Sequence, residues 1–232
     1  ESPASGLQGA VVVVGASGAG KSSLVRAGLV AQTRDGAALS GMPSALMVPG
    51  DRPGPALESA LESLGDAAGP ALLVVDQFEE LWTQTEPPVR AAFFTKLSEA
   101  LAGRALVPVI ALRADFYASA AEVPGLAEAF GQAQVVVPRM TEAQLREVIV
   151  KPAEGAGAVV DDDLVTLLLE DLAAPGTGGR VDAGVLPLLS HALRATWEQS
   201  DGRRLTVADY VKTGRIGGAV EQTAEEVYDD LP

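Results

Sequence analysis

Eight residues, Gly15-Ala16-Ser17-Gly18-Ala19-Gly20-Lys21-Ser22, constrain this chain more than any other part of it. They fit the pattern G-x-x-x-x-G-K-[ST] in full, and that pattern carries meaning in one setting, with a buried strand before it and a helix after it. Both flanks are present. Ala10–Val14 is a β-branched run suited to a parallel strand buried on both faces, and Lys21–Ala31 reads as a helix. Small residues let the loop fold tightly, so that successive backbone N–H groups point into one concavity. The helix start adds about half a positive charge there. The loop is therefore expected to hold the polyphosphate of a nucleotide through Gly15, Ala16, Ser17, Gly18, Ala19, Gly20, Lys21, Ser22 and the adjoining Ser23. Lys21 is expected to reach the β- and γ-phosphates, and the Ser22 hydroxyl to bind Mg²⁺. The plainer alternative, a Gly-rich strand-to-helix turn with an incidental lysine, is disfavoured by the two flanks.

Around this loop, strands alternate with helical stretches. Ala45–Val48 reads as a second strand ended by Pro49-Gly50, followed by a helix from about Pro55 to Leu64. Gly69-Pro70 punctuates before Ala71–Val75, a third strand; Pro87–Leu101 is a helix with prolines in its first turn, where they are tolerated. Leu106–Leu112 and Gln134–Val137 are the fourth and fifth strands. The pattern predicts an α/β fold with a doubly wound, parallel, five-stranded sheet. After Pro138 only helices are expected. Thr141 and Gln144 form a capping box before a face of Leu145, Val148 and Ile149. Asp163–Leu172 is a second helix, and a loop at Pro175–Gly179 leads to a third, Val185–Trp197, with Leu186, Leu189, Leu193 and Trp197 on one stripe. Thr206 and Asp209 cap a further start, and Gly218–Asp230 closes the series. The expected divisions are a polar leader at 1–9, a nucleotide-binding domain at 10–139 and a smaller all-helical lid from 140 to 204.

Composition removes several function classes. The net charge is −14 and no Lys/Arg-rich run exists, whereas binding nucleic acid by charge neutralisation needs a basic footprint. No nucleic-acid partner is expected. No segment approaches the roughly 20 unbroken apolar residues of a membrane span, and nothing resembles a secretory signal, so a cytoplasmic protein without a membrane partner is expected. With no cysteine and one histidine, the usual zinc sites are out of reach. The Ala-, Gly- and Arg-rich composition suggests a bacterial genome of high GC content. Beginning at Glu1 and stopping at Leu231-Pro232 just after a helical pattern, the chain reads as a piece of a longer polypeptide.

Further residues carry chemistry. Ala71-Leu72-Leu73-Val74-Val75-Asp76 is an apolar strand ending in a carboxylate, placed where α/β sheets open their ligand crevice. There Asp76 can hold Mg²⁺ through water, as in a Walker B segment; alternatively it caps the next helix. Glu79 and Glu80 follow it, and either is positioned to act as the base for an attacking water, Glu79 being preferred. Otherwise they face solvent at a helix start. Arg113 ends the fourth strand and suits bidentate contact with phosphate oxygens, or an ion pair with Asp115. The expected catalytic set is Lys21, Asp76, Glu79, Glu80 and Arg113, and the metal set Ser22 and Asp76. His191 reads as a packing or surface histidine, and Asp161–Asp163 as a solvated helix N-terminus.

Several strings resemble the bacterial novel-STAND NTPases (signal-transduction ATPases with numerous domains). They are Ser23-Leu24-Val25-Arg26-Ala27-Gly28-Leu29 after the loop, Val75-Asp76-Gln77-Phe78-Glu79-Glu80-Leu81-Trp82, and Ala111-Leu112-Arg113-Ala114-Asp115-Phe116-Tyr117. Leu186-Pro187-Leu188-Leu189-Ser190-His191-Ala192-Leu193 and Leu205-Thr206-Val207-Ala208-Asp209-Tyr210 agree as well. The resemblance implies an ASCE-type P-loop sheet whose Arg113 strand lies between the loop strand and the Asp76 strand, with Arg113 as the sensor-1 residue. It implies that Pro187 packs against adenine and that 205–232 opens a winged-helix domain. It also implies effector and sensor domains in the same polypeptide, and nucleotide-dependent self-assembly. The family's upstream Gly-Arg segment and the rest of its winged helix have no counterpart in residues 1–232. The resulting expectation is a regulatory switch that binds Mg²⁺ with ATP or ADP and hydrolyses ATP slowly. A nucleotide-gated scaffold with negligible turnover uses nearly the same residues. A P-loop GTPase is disfavoured, because Thr95-Lys96-Leu97-Ser98 lacks the aspartate of the guanine-reading tetrad, and an Orc-like DNA-loading ATPase is opposed by the charge.

Overall fold

The computed structural model describes residues 7, 9–35, 38–65, 69–173 and 185–216. The chain divides into two compact units, Glu1–Pro138 and Arg139–Pro232. The first is built on five parallel strands in the order β2-β3-β4-β1-β5: β1 (Val11–Gly15), β2 (Ser44–Met47), β3 (Ala71–Val75), β4 (Leu106–Arg113) and β5 (Gln134–Val137). After β1 the chain enters α1 (Lys21–Ser23), widens into a π-helical segment (Leu24–Val30) and ends as α2 (Ala31–Asp35). α3 (Pro53–Ser63) follows β2, and α4 (Glu80–Thr83) with α5 (Pro87–Gly103) follows β3. A 3₁₀ turn (Ala114–Phe116), α6 (Tyr117–Ala121) and α7 (Leu126–Gln132) follow β4. The sequence pattern shows neither α4, α6 nor α7, because helices of four, five and seven residues are too short for a 3.6-residue period to register.

Alternation along the strands sorts the core onto two faces. Val12, Val14, Leu73, Val75, Ile110 and Leu112 pack with Leu57 of α3, Phe93 and Leu97 of α5, and Leu126 of α7. Val13, Leu72, Val74, Val109 and Ala111 face the other way, toward Val25, Leu29 and Val30 of the helix after β1. The strand order explains the division. The chain runs from β1 out to the edge strand β2 and then returns through β3 and β4, so right-handed crossovers require the helices to change faces after β2. The reversal leaves a crevice beside the C-terminal end of β1, where ligands bind in such sheets. Leu7, assigned from sequence to a polar leader, is instead fully buried in the main core.

Helices dominate the second unit: α8 (Glu142–Gly155), α9 (Asp162–Leu172), α10 (Val185–Gln199) and α11 (Val207–Lys212). The Thr141–Gln144 capping box is formed, and the Thr206 hydroxyl accepts from the Asp209 N–H. The expectation of helices alone needs one correction. Val159–Val160 (β6) and Arg204–Leu205 (β7) form a small parallel pair, closed by Val159 N–H to Arg203 O at 2.9 Å and Asp161 N–H to Leu205 O at 3.1 Å. Two residues have no period to read, so only the fold reveals them. Asp161, expected to be solvated, also accepts from Arg204 at 2.6 Å. Leu145, Ile149, Leu164, Leu168, Leu189 and Tyr210 form this unit's core, with Leu186 and Leu193 at its margin. Trp197, expected on the same stripe, is 37% exposed. Pro175–Gly179 and Gly218–Asp230 lie outside the described residues. Among those described, no helix is long and apolar enough to cross a membrane.

Candidate nucleotide-binding site

The loop after β1 turns through two left-handed glycines, Gly18 (φ 72°) and Gly20 (φ 94°), and Gly20 is the N-cap of α1. Only glycine adopts this conformation without a steric cost. Gly15 is required for another reason: a Cβ there would lie 2.9 Å from the Val137 carbonyl oxygen of β5. Lys21 is 8% exposed, and its Nζ donates to Gly15 O at 3.0 Å and Ala16 O at 2.9 Å. The ammonium thus sits inside the loop. Burial lowers its pKa, the Glu79 charge pulls it back up, the Arg113 charge lowers it, and Asp76 and Asp115 raise it. Four charged side chains besides Lys21 therefore act on one small volume.

Asp76 follows the fully buried β3 and is itself 1% exposed. Its Oδ1 accepts from Ser22 Oγ at 3.0 Å and from Gln77 N–H at 3.0 Å, and its Oδ2 accepts from Arg26 Nε at 3.0 Å. Asp76 does not cap the next helix, whose N-cap is Glu79 with no side-chain cap bond. Gln77 takes a left-handed φ of 53°, and this turn sends the buried Phe78 N–H to Ala111 O at 3.0 Å. The turn also separates the two glutamates. Glu79, nearly buried, accepts from the Arg113 backbone N–H at 3.2 Å. Glu80 accepts from the Gly50 N–H at 2.9 Å, on the loop between β2 and α3.

Arg113 stands opposite Gly15 in the β1–β4 register, and its strand lies between β1 and β3. Its guanidinium pairs with Asp115 at 2.5 Å and lies 5.7 Å from the Phe116 ring centroid. The side chains of this pair are 36% and 61% exposed, so it contributes at most about 1 kcal/mol and can be exchanged for a stronger anion. Arg113 Nε is buried with no hydrogen-bond partner among the described residues, which leaves a donor available.

The fold thus gathers Lys21, Ser22, Asp76, Glu79 and Arg113 at the C-terminal ends of β1, β3 and β4, while Glu80 turns to Gly50. Ser17 and Ser23 are exposed at the loop and on α1. Pro187 and His191 belong to the second unit, on α10; Pro187 is in its first turn and exposed. Sequence reasoning overlooked Arg26 as a site residue. A signal existed, because Ser22 and Arg26 are four residues apart and such residues share a helix face. No comparable signal marked Gln77 or Gly50, which act through the backbone.

A β-loop-α phosphate cradle, a carboxylate on the strand two places away and an arginine on the strand between them define a P-loop NTPase fold of the ASCE type. The family description Novel STAND NTPase 1 matches residues 4–232, and the chain belongs to that family. It is a nucleotide-binding NTPase module of the STAND type. No curated protein matches the chain. Among solved structures it is similar to the Aeropyrum pernix ORC1 protein in complex with DNA, with a TM-score of 0.61, 19% identity, and coverage of 96% of this chain and 62% of that one. The ADP form of the Aeropyrum pernix ORC2 protein gives 0.61 and 14%, over 91% of this chain and 62% of that one. A chain of the E. coli MS115-1 HORMA:CdnC:Trip13 complex gives 0.54 and 14%, over 88% and 72%. At these identities the likeness concerns the fold. The chain spans about 62% of the length of the two ORC proteins.

Proposed function

We propose that this chain is the nucleotide-responsive switch module of a larger STAND protein, binding Mg²⁺ with ATP or ADP on Gly15–Ser22 and hydrolysing ATP slowly. The observation that carries the reading is the 3.0 Å contact of Ser22 with the buried Asp76, beside Lys21 in the loop. A hydroxyl and a carboxylate are the hard oxygen donors that suit Mg²⁺, which usually keeps several waters and takes the remainder of its shell from phosphates. When bound, the cation neutralises charge on the β- and γ-phosphates.

The chain's own residues supply the rest. Lys21 exchanges the Gly15 and Ala16 carbonyls for phosphate oxygens. Arg113 gives up Asp115 and turns its unpaired Nε toward the γ-phosphate, reporting its presence. Glu79, held by the Arg113 N–H, orients and deprotonates the attacking water; Glu80 anchors the loop at Gly50. Among the described residues, Arg26 is held by Asp76 and Arg113 serves as the sensor, which supports slow turnover awaiting an arginine from another molecule. Such fingers contribute roughly 10³–10⁵ in rate in other NTPases. Nucleotide state then controls assembly of the full-length protein with its effector and sensor domains. A DNA-loading role, suggested by the likeness to ORC1, is disfavoured by the net charge of −14.

Single-turnover ATP hydrolysis by the parent chain, Glu79→Gln and Glu80→Gln tests the assignment. General-base loss costs about 10²–10⁴ in rate, so Glu79→Gln should fall by that factor while Glu80→Gln stays within several-fold of the parent. Parent-like turnover in Glu79→Gln removes it as the base. A parent chain that binds ATP without hydrolysing it supports the scaffold instead.

A further inference from the structure

We propose that Arg26 is a counter-cation to the metal-binding carboxylate, competing with Mg²⁺ for Asp76 and so setting how strongly the site prefers a magnesium nucleotide over a free one. The proposal rests on the nucleotide reading above.

The geometry begins with helix spacing. Ser22 in α1 and Arg26 in the π-helical segment are four residues apart, and both reach the same carboxylate from one side of the helix. Ser22 takes Oδ1 and Arg26 takes Oδ2, each at 3.0 Å. Asp76 is 1% exposed, whereas the Arg26 side chain is 49% exposed. The pair is therefore asymmetric. A buried carboxylate without a partner is costly, so Asp76 depends on Arg26 more than Arg26 depends on Asp76. A divalent cation held by Ser22 and Asp76 draws on the same single negative charge. With Oδ2 already engaged by Arg26, the two cations would repel across one carboxylate. Lys21, whose ammonium also feels the Asp76 charge, adds to the local positive excess.

Removing the guanidinium has two opposite consequences. Without metal, Asp76 loses its ion pair with Arg26 and the fold weakens. With metal, the cation supplies the missing charge and the repulsion is gone. The preference for the magnesium complex must then increase. A residue that merely tied the helix to β3 would lower stability and leave that preference unchanged.

The test is titration calorimetry of ADP in Mg²⁺ and in EDTA for the parent chain, Arg26→Gln, Arg26→Ala and Arg26→Lys. Arg26→Gln keeps a hydrogen bond within reach of Asp76 if the alanine variant folds poorly. The readout is the ratio of the Kd in EDTA to the Kd in Mg²⁺. It should rise about fivefold or more in the uncharged variants, the lower end of typical couplings between linked sites, and stay near the parent value in Arg26→Lys. Ligand-free melting in EDTA should drop in Arg26→Gln. An unchanged ratio with a lower melting temperature overturns the proposal in favour of a tether, and a falling ratio shows that Arg26 assists the metal. A parent ratio of one defeats the magnesium-nucleotide reading itself, which is a separate result.

Discussion

Lys21→Ala isolates the phosphate-binding role of the loop. In the folded chain the ammonium already satisfies two donors on Gly15 O and Ala16 O, so a nucleotide must compete with those carbonyls. One unit charge against a phosphate charge at about 4 Å and an effective dielectric near 20 is worth about 4 kcal/mol. Two hydrogen bonds at about 1 kcal/mol net each are given up or shared, leaving about 2–3 kcal/mol. That corresponds to a roughly 30- to 150-fold loss of ADP affinity, at tenfold per 1.4 kcal/mol. The ligand-free protein should change little, because losing the two bonds is offset by relief of a buried charge. The assay is a melting curve with and without Mg²⁺–ADP at a hundred times the parent Kd. The parent gains about 2.7 kcal/mol there, while a variant weakened about a hundredfold gains only about 0.4 kcal/mol. For a chain of this size the shifts are roughly 5–11 °C against 1–2 °C. Equal shifts in the two proteins would refute the reasoning and remove the loop from nucleotide binding.

Arg113→Ala should weaken a non-hydrolysable ATP analogue by about 10-fold or more while leaving ADP within about threefold, the loss expected for one charged hydrogen bond of about 1.5–3 kcal/mol; equal losses by calorimetry would leave only the Asp115 pair as its role. Because the folded pKa of Lys21 lies below its ordinary 10.5, the unfolded chain holds the proton the folded chain has lost between those two pKa values. Its contribution to stability therefore rises with pH through that window, and ADP affinity falls through it. The difference between the parent and Lys21→Met in melting and titration across alkaline pH reads both trends, and parallel curves would contradict them. In the second unit, Tyr210 is fully buried, donates to Asp171 at 2.7 Å and accepts from Ile216 N–H at 3.1 Å; burial pushes its phenol up, so the donor stays protonated. Tyr210→Phe should cost about 1–3 kcal/mol in urea unfolding, without altering Mg²⁺–ADP affinity.

What could be read from the sequence alone is what neighbouring residues determine among themselves. Four consecutive valines make a strand buried on both faces, and the glycine spacing of 15–22 makes a loop that only left-handed residues can close. Thr141 and Gln144 cap a helix because their groups meet within one turn. The carboxylate at Asp76 and the arginine at Arg113 were visible as polar ends of apolar runs. Their partners were not. Ser22 meets Asp76 across 54 residues and Arg26 meets it across 50, contacts that exist only because β3 lies two strands from β1. That strand order was implied by family resemblance and not by any periodicity. Glu79 and Glu80 are chemically identical neighbours. Only the left-handed turn at Gln77, with β4 on one side and Gly50 on the other, assigns one to the crevice and the other to a loop. The physical reason is that side-chain period and backbone propensity act over a few residues, while a shared carboxylate depends on which distant strands the crossovers bring side by side.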